Sequence, residues 1–250
     1  MYPAIRLTQD VSLPTYMLVI SLVYCLALVW VVKRAERLER DRTIALDIAL
    51  IIMIGGFLGA RLFHVVYEMP DYYLANPGDI FRVWQGGFVF YGGALTAFFA
   101  SVVWLNRKGE NWLAWADFYA PIGAFGYASG RFACLLNGCC FGDHCELPWS
   151  IAGRHPTPLY ASLWELPTLA LLLFLEARQQ RSPKKWISRP GSLFFVWIFL
   201  HGLGRLIMEH WRVDDRGPMP LGISVSTWIS LGLLLSSMVF FMWPRPNKSS

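Results

Sequence analysis

The sequence predicts an all-α, polytopic integral membrane protein, and three observations carry that prediction. Hydrophobic residues make up 55% of the 250 and charged residues only 16%, with 12 Trp and 17 Phe, and the mean hydropathy is +0.41, all far from the averages of a soluble domain. Seven apolar stretches are long enough to cross about 30 Å of hydrocarbon as helix. The basic residues alternate between the segments joining those stretches, as topology signals do. The formal charge of +5 therefore reads as a membrane signature, and nucleic acid is excluded as a partner.

The first apolar run, residues 16–32, follows Arg6 and Asp10, precedes the strongest basic block and has no small-residue cleavage site, so it reads as a retained helix rather than a cleaved leader. The next runs are at 44–67, 87–105, 112–136, 159–176, 191–209 and 223–243. Between the first two lie Lys33, Arg34, Arg37, Arg40 and Arg42, and after the third come Arg107 and Lys108. Arg178, Arg181, Lys184, Lys185 and Arg189 follow the fifth, and Arg245 and Lys248 the seventh. The opposite side holds only Arg6, Arg82, Arg154, Arg212 and Arg216. Because basic loops stay in the cytoplasm, the N-terminus is expected outside and the C-terminus inside. No repeat or soluble domain is visible, so the chain reads as one transmembrane domain over 1–250, with an outward loop at about 137–158 rich in Gly, Cys, His and Pro.

Ionisable groups inside spans are expensive and mark function by default. From the second span onward they are Asp47, Arg61, His64, Asp117, Arg131, Glu165, His201, Arg205 and Glu209. Arg131 and Arg205 each follow a glycine, Gly130 and Gly204, and the natural partner of a guanidinium at that depth is a lipid phosphate. Arg205, Glu209 and Arg212 share one helical face, which also fits a plain ladder gluing helices together, and Asp47 fits an interfacial ion pair. Where the third span begins, Trp84 to Gly93 places the pairs Gly86-Gly87 and Gly92-Gly93 around Phe88, Val89, Phe90 and Tyr91. Such pairs expose amide N–H groups near a helix start, where an anion is favoured. Close helix packing explains them equally well.

Taken in order, Tyr16, Gly59-Ala60-Arg61, the Trp84 to Gly93 block, Gly130-Arg131, Asn137-Gly138, Gly142, His155-Pro156-Thr157-Pro158-Leu159-Tyr160 with Glu165, and Gly204 through Arg212 form a recognisable set. The chain resembles the bacterial prolipoprotein diacylglyceryl transferases over nearly its whole length. That resemblance implies a multi-pass enzyme of the bacterial inner membrane whose partners are phosphatidylglycerol, the lipobox-bearing signal peptide of a prolipoprotein and the bilayer itself. The implied reaction moves a diacylglyceryl group onto the lipobox cysteine thiol, forming a thioether and releasing glycerol phosphate. It implies Arg131, Arg205, Tyr91 and Glu209 as catalytic residues, and Tyr16, Arg61, Gly86, Gly87, Gly92, Gly93, Asn137, Gly142 and Arg212 as substrate-binding ones. No cofactor and no metal are expected.

Two departures from the family pattern bear on mechanism. Tyr91 stands where many members have histidine, and a phenol with a reference pKa near 10 is a poor base at neutral pH, which leaves Tyr91 to hydrogen-bond the headgroup or thiol and Glu209, a lipid phosphate oxygen or water to take the thiol proton. Secondly, Cys134, Cys139, Cys140 and Cys145 gather four of the five cysteines in one short segment. Bracing disulfides, packing thiols, and metal or redox chemistry all remain open for them, and His144 beside Cys145 raises zinc without a standard ligand spacing. Cys25, mid-span, reads as a core residue. Two alternatives follow: a related lipid transferase with another acceptor, and a membrane thiol-disulfide oxidoreductase using the Cys134 to Cys145 cluster, although no C-x-x-C is present. A non-catalytic lipid carrier built on the same arginines is a third.

Overall fold

A computed structural model describes residues 4–6, 12–181, 188–212 and 222–243; Lys184, Lys185, Arg216, Arg245 and Lys248 of the topology pattern lie outside them. A two-stranded antiparallel hairpin, β1 (Ala4–Arg6) and β2 (Ser12–Pro14), leads into α1 (Thr15–Arg37) and α2 (Arg42–Phe63). The second helix runs on through a π-helical turn, His64–Glu68, to the short α3 (Pro70–Ala75) and two 3-10 turns, Pro77–Phe81 and Val83–Gln85. Then come α4 (Phe90–Arg107), α5 (Trp112–Asn137), α6 (Thr157–Arg181), α7 (Ser192–Glu209) and α8 (Val225–Met242). Among the described residues the long helices coincide with the seven apolar runs. Five of them, α1, α2, α6, α7 and α8, are long and apolar enough to span a membrane. The protein is thus a mostly helical, multi-pass membrane protein. On α1, Leu18, Leu22, Leu26 and Val29 make one exposed apolar stripe, a face that lipid would cover.

The chain divides into two compact units, one of residues 1–27 and 113–250, the other of residues 28–112. In the 28–112 unit, Asp41 caps α2: its Oδ1 accepts from the backbone N–H of Thr43 at 2.7 Å and Ile44 at 3.1 Å, and these two bonds hold its carboxyl below the usual range. Helix α2 packs along α4 through glycines. A Cβ on Gly59 would lie 2.3 Å from the Thr96 hydroxyl oxygen, one on Gly93 2.5 Å from the Gly56 carbonyl, and one on Gly92 2.3 Å from the Phe63 ring. The two backbones approach so closely that no larger residue fits.

In the other unit, Ala120 and Ala124 of α5, Leu172 and Leu175 of α6 and Leu193 of α7 form a common buried core, flanked by Leu169, Phe194, Val196 and Trp197. Asp117 of α5 binds the start of α7, accepting from the backbone N–H of Gly191 at 2.7 Å and Phe194 at 2.8 Å. These are the donors a helix N-terminus leaves open. Higher up, a Cβ on Gly123 would strike the Trp197 ring at 2.4 Å, and the rings of Tyr127 and His201 meet edge to face at 4.4 Å. Each of these pairs, Asp117 with Gly191, Gly123 with Trp197 and Tyr127 with His201, is separated by the same 74 positions. A constant offset with both numbers rising means α5 and α7 lie parallel and in register.

Candidate active site

The register that pairs Tyr127 with His201 sets Arg131 at the level of Arg205, one turn further along both helices. The Arg131 guanidinium lies over the Tyr127 ring, 5.0 Å from its centroid, a favourable cation–π seat. Tyr127 rests on His201. His201 in turn approaches the carboxylate of Glu165 through Nδ1, 3.3 Å from Oε2, while the other oxygen of Glu165 accepts from Trp197 Nε1 at 2.6 Å. Glu165 is only 1% exposed, and those two partners satisfy its two oxygens. Glu165, His201 and Tyr127 thus form a stacked support under Arg131, drawn from α5, α6 and α7.

Arg205 is positioned from α8: its Nη2 donates to Ser226 Oγ. One turn along, Ser224 Oγ donates to Glu209 Oε1 while also accepting from the Thr227 N–H to cap α8. The start of α8 is therefore fastened to the last two turns of α7. Gly204 of α7 makes room for α6, since a Cβ there would lie 2.5 Å from the indole of Trp164.

Beyond Asn137 the chain forms a Schellman turn. Gly138, at φ +79, donates to the Leu135 carbonyl at 3.2 Å, and Cys139 donates to the Cys134 carbonyl at 3.1 Å, the paired bonds of that motif. The motif folds the residue after the glycine back onto the last helical turn, here Cys139 onto Cys134. Cys140 also has positive φ, +63, and completes the group. The three sulfurs lie within 4.8 Å of one another. Arg131 and Arg212 are electrostatic neighbours of Cys140, and Tyr16 of α1 is a neighbour of Arg131 and of all three thiols. The Cys140 thiol is pushed down to about 5, first by its hydrogen bond with Cys134, then by Cys139 and the two guanidiniums, against the opposing effect of burial. Burial raises the Cys139 thiol.

The loop after this turn is pinned to the end of α7. Gly142 N donates to His155 O at 2.8 Å and Asp143 N to Trp211 O at 2.8 Å, and a Cβ on Gly142 would lie 2.3 Å from the Trp211 carbonyl. Thr157 Oγ1 donates to the Cys140 carbonyl at 2.6 Å. All five cysteines are free thiols, so the bracing disulfides are not formed, and Cys25 is exposed on α1 rather than in a core. His144 and Cys145 stand outside the sulfur trio.

The residues of the 28–112 unit have other surroundings. Arg61 is buried, and its donors are all committed to carbonyls: Nε to Ile80 at 3.1 Å, Nη1 to Gly86 at 2.5 Å and Gly87 at 3.2 Å, Nη2 to Asp79 at 2.8 Å and Arg82 at 3.5 Å. It also faces the rings of Tyr73 and Phe88. Expected as a substrate ligand, it serves here as the post around which residues 79–87 are wrapped. Gly86 and Gly87 have φ +84 and +79, and a Cβ on Gly87 would fall 2.3 Å from His64 Nε2. Gly92 and Gly93 are buried in the α2–α4 seam, the packing role rather than the anion-binding one. Tyr91, on the first turn of α4, lies edge-on to Phe90. The supporting role of Tyr127 and the two serines of α8 was missed by sequence reasoning. Tyr127 could have been found as the i−4 neighbour of Arg131, whereas the serines carry no signal apart from the fold.

Apolar helices carrying two arginines at one level of parallel helices, Arg131 over an aromatic ring and beside the thiols, Arg205 held by a serine, define a multi-pass membrane protein with partly buried cationic groups. A family model described as prolipoprotein diacylglyceryl transferase matches residues 3–243. Similar proteins named phosphatidylglycerol--prolipoprotein diacylglyceryl transferase occur in Paracidovorax citrulli, 34% identical over 80% of this chain and 76% of the relative, and in Cupriavidus metallidurans, 33% identical over 76% and 72%. Another, from a Janthinobacterium species, is 34% identical over 76% of this chain and 73% of its own. The chain belongs to the prolipoprotein diacylglyceryl transferase family, a family of transferases.

Proposed function

We propose that this protein transfers the diacylglyceryl group of phosphatidylglycerol to the lipobox cysteine thiol of a prolipoprotein in the bacterial inner membrane. The observation that carries the reading is the level placement of Arg131 and Arg205 on parallel helices. The thiolate sulfur attacks the glyceryl CH2, a C–S bond forms as the C–O bond to phosphate breaks, and glycerol phosphate leaves with the bonding electrons. Negative charge grows on the departing phosphate, so guanidiniums fixed beforehand at that place lower the barrier, and their forked geometry matches phosphate oxygens. Arg131 and Arg205 form this clamp, Arg212 and Tyr16 border it, and Glu209 orients the Arg205 end through α8. Asn137 and Gly142 shape its wall, while Gly86 and Gly87 belong to the segment wrapped around Arg61 and Gly92 and Gly93 to the α2–α4 seam that begins beside Tyr91.

The same reading takes all seven long helices as spans in one transferase domain, with the N-terminus outside, the C-terminus inside and the 137–158 loop on the outer face. Helices α4 and α5 span too, their hydropathy lowered by their glycines, tyrosines and tryptophans. In support, the family match runs across both compact units. The test is complementation of a transferase-depleted bacterium together with transfer of labelled phosphatidylglycerol to a lipobox peptide. Wild type is expected to restore both. Loss of both functions in a correctly inserted wild type would defeat the assignment.

A further inference from the structure

The transfer step uses none of Cys134, Cys139 and Cys140, yet their arrangement is built rather than incidental. The Schellman turn at Gly138 lays Cys139 on Cys134 through two backbone bonds, and Cys139 Sγ also contacts the Cys134 carbonyl at 3.6 Å. The left-handed conformation of Cys140, uncommon for a side chain larger than glycine's, returns a third sulfur to the same place, with its carbonyl fixed by Thr157. Three sulfurs within 4.8 Å of one another need to close in by less than about 1 Å to reach the roughly 4 Å separation that one three-coordinate ion imposes with metal–sulfur bonds of about 2.3 Å.

The donor set selects the ion. It contains sulfur alone, without carboxylate or imidazole, which excludes the hard cations that take oxygen ligands. Structural zinc completes a tetrahedron with a fourth protein ligand, and His144 and Cys145 are not in the group. Soft thiolates select copper(I). Three thiolates around a monovalent ion leave a net negative complex, and the guanidiniums of Arg131 and Arg212 beside Cys140 supply the compensating charge. From this geometry we propose that Cys134, Cys139 and Cys140 form a three-thiolate site for one soft monovalent cation of the copper(I) type.

The site does not depend on the transferase reading, and the experiment reads metal directly. Full-length protein, purified in detergent, reduced and kept anaerobic, is titrated with copper(I) against a copper(I)-chelating dye, and the loaded form is examined by X-ray absorption. One copper per chain with a shell of three sulfurs is expected. Cys134→Ser, Cys139→Ser and Cys140→Ser should each weaken binding about tenfold or more, at least the loss typical when a hydrogen-bond partner of a metal ligand is removed, while Cys25→Ser and Cys145→Ser leave it unchanged. No copper uptake beyond the chelator's, a shell containing nitrogen or oxygen, or retention in the triple serine variant would each overturn the site. So would a disulfide among the three thiols in protein trapped by alkylation directly from membranes. The wild-type spectrum alone decides the matter if a variant fails to fold.

Discussion

Arg131 and Arg205 were visible in the sequence as guanidiniums at a depth where charge is costly, and the structure gives each a different support. Arg131 sits on an aromatic face, Arg205 on a serine. Arg131→Ala and Arg205→Ala are each expected to lower transfer to a lipobox peptide by roughly 100- to 1,000-fold, the range for loss of one essential oxyanion donor. Arg131→Lys should recover little, because an ammonium on a flexible stem replaces neither the fork nor the stacking plane. The paired thiols offer a second readout. Cys140, held down to about 5, is thiolate above that pH and protonated below it, so iodoacetamide labelling of metal-free protein should rise through pH 5 and be nearly flat by pH 7. Cys139, shifted the other way, should label only in alkaline solution. Equal profiles for the two by mass spectrometry would contradict the shared hydrogen bonding. Legibility at this scale followed charge: arginines announce themselves by cost, while Tyr127 and Ser226 look like ordinary helix residues until a neighbour is placed beside them.

At the level of helices, the apolar runs located every long element, because hydrocarbon thickness sets a length that composition alone reveals. What they did not reveal was how the glycine pairs divide. Gly92 and Gly93 face α2, whereas Gly86 and Gly87 turn the preceding chain so that Arg61 can bind its carbonyls; both uses require glycine, and only the packing partner separates them. Gly59→Ala should destabilise the α2–α4 seam by about 1–3 kcal/mol, the usual cost of overpacking, seen as a lower thermal midpoint in detergent. Gly56→Ala, with no atom within 4 Å of its added carbon, should change it little. The extra π-helical turn after Phe63 also escaped sequence reading, since one widened turn leaves hydrophobic periodicity almost unaltered.

For the molecule as a whole, the orientation drawn from basic residues makes a direct prediction. A reporter active only in the cytoplasm should report when fused after Trp243, and one active only outside should report when inserted near Ser150; the reverse pattern would invert the topology and leave the arginine pair on the wrong face for exported substrates. Fold class and helix order were legible because the bilayer restricts a chain to few solutions. The pairing of α5 with α7 was not, for it joins residues 74 apart through contacts that no local pattern encodes. That pairing starts at Asp117, whose carboxylate grips the first amides of α7. Fourteen residues of helix, about 21 Å, separate this grip from Arg131, yet a slip of one residue there would swivel α7 by about 100° and carry Arg205 out of line. Asp117→Ala should accordingly depress transfer with the protein still inserted, and Asp117→Asn, which keeps one accepting oxygen, should depress it less. The anchor at the start of α7 sets the aim of the cation near its end.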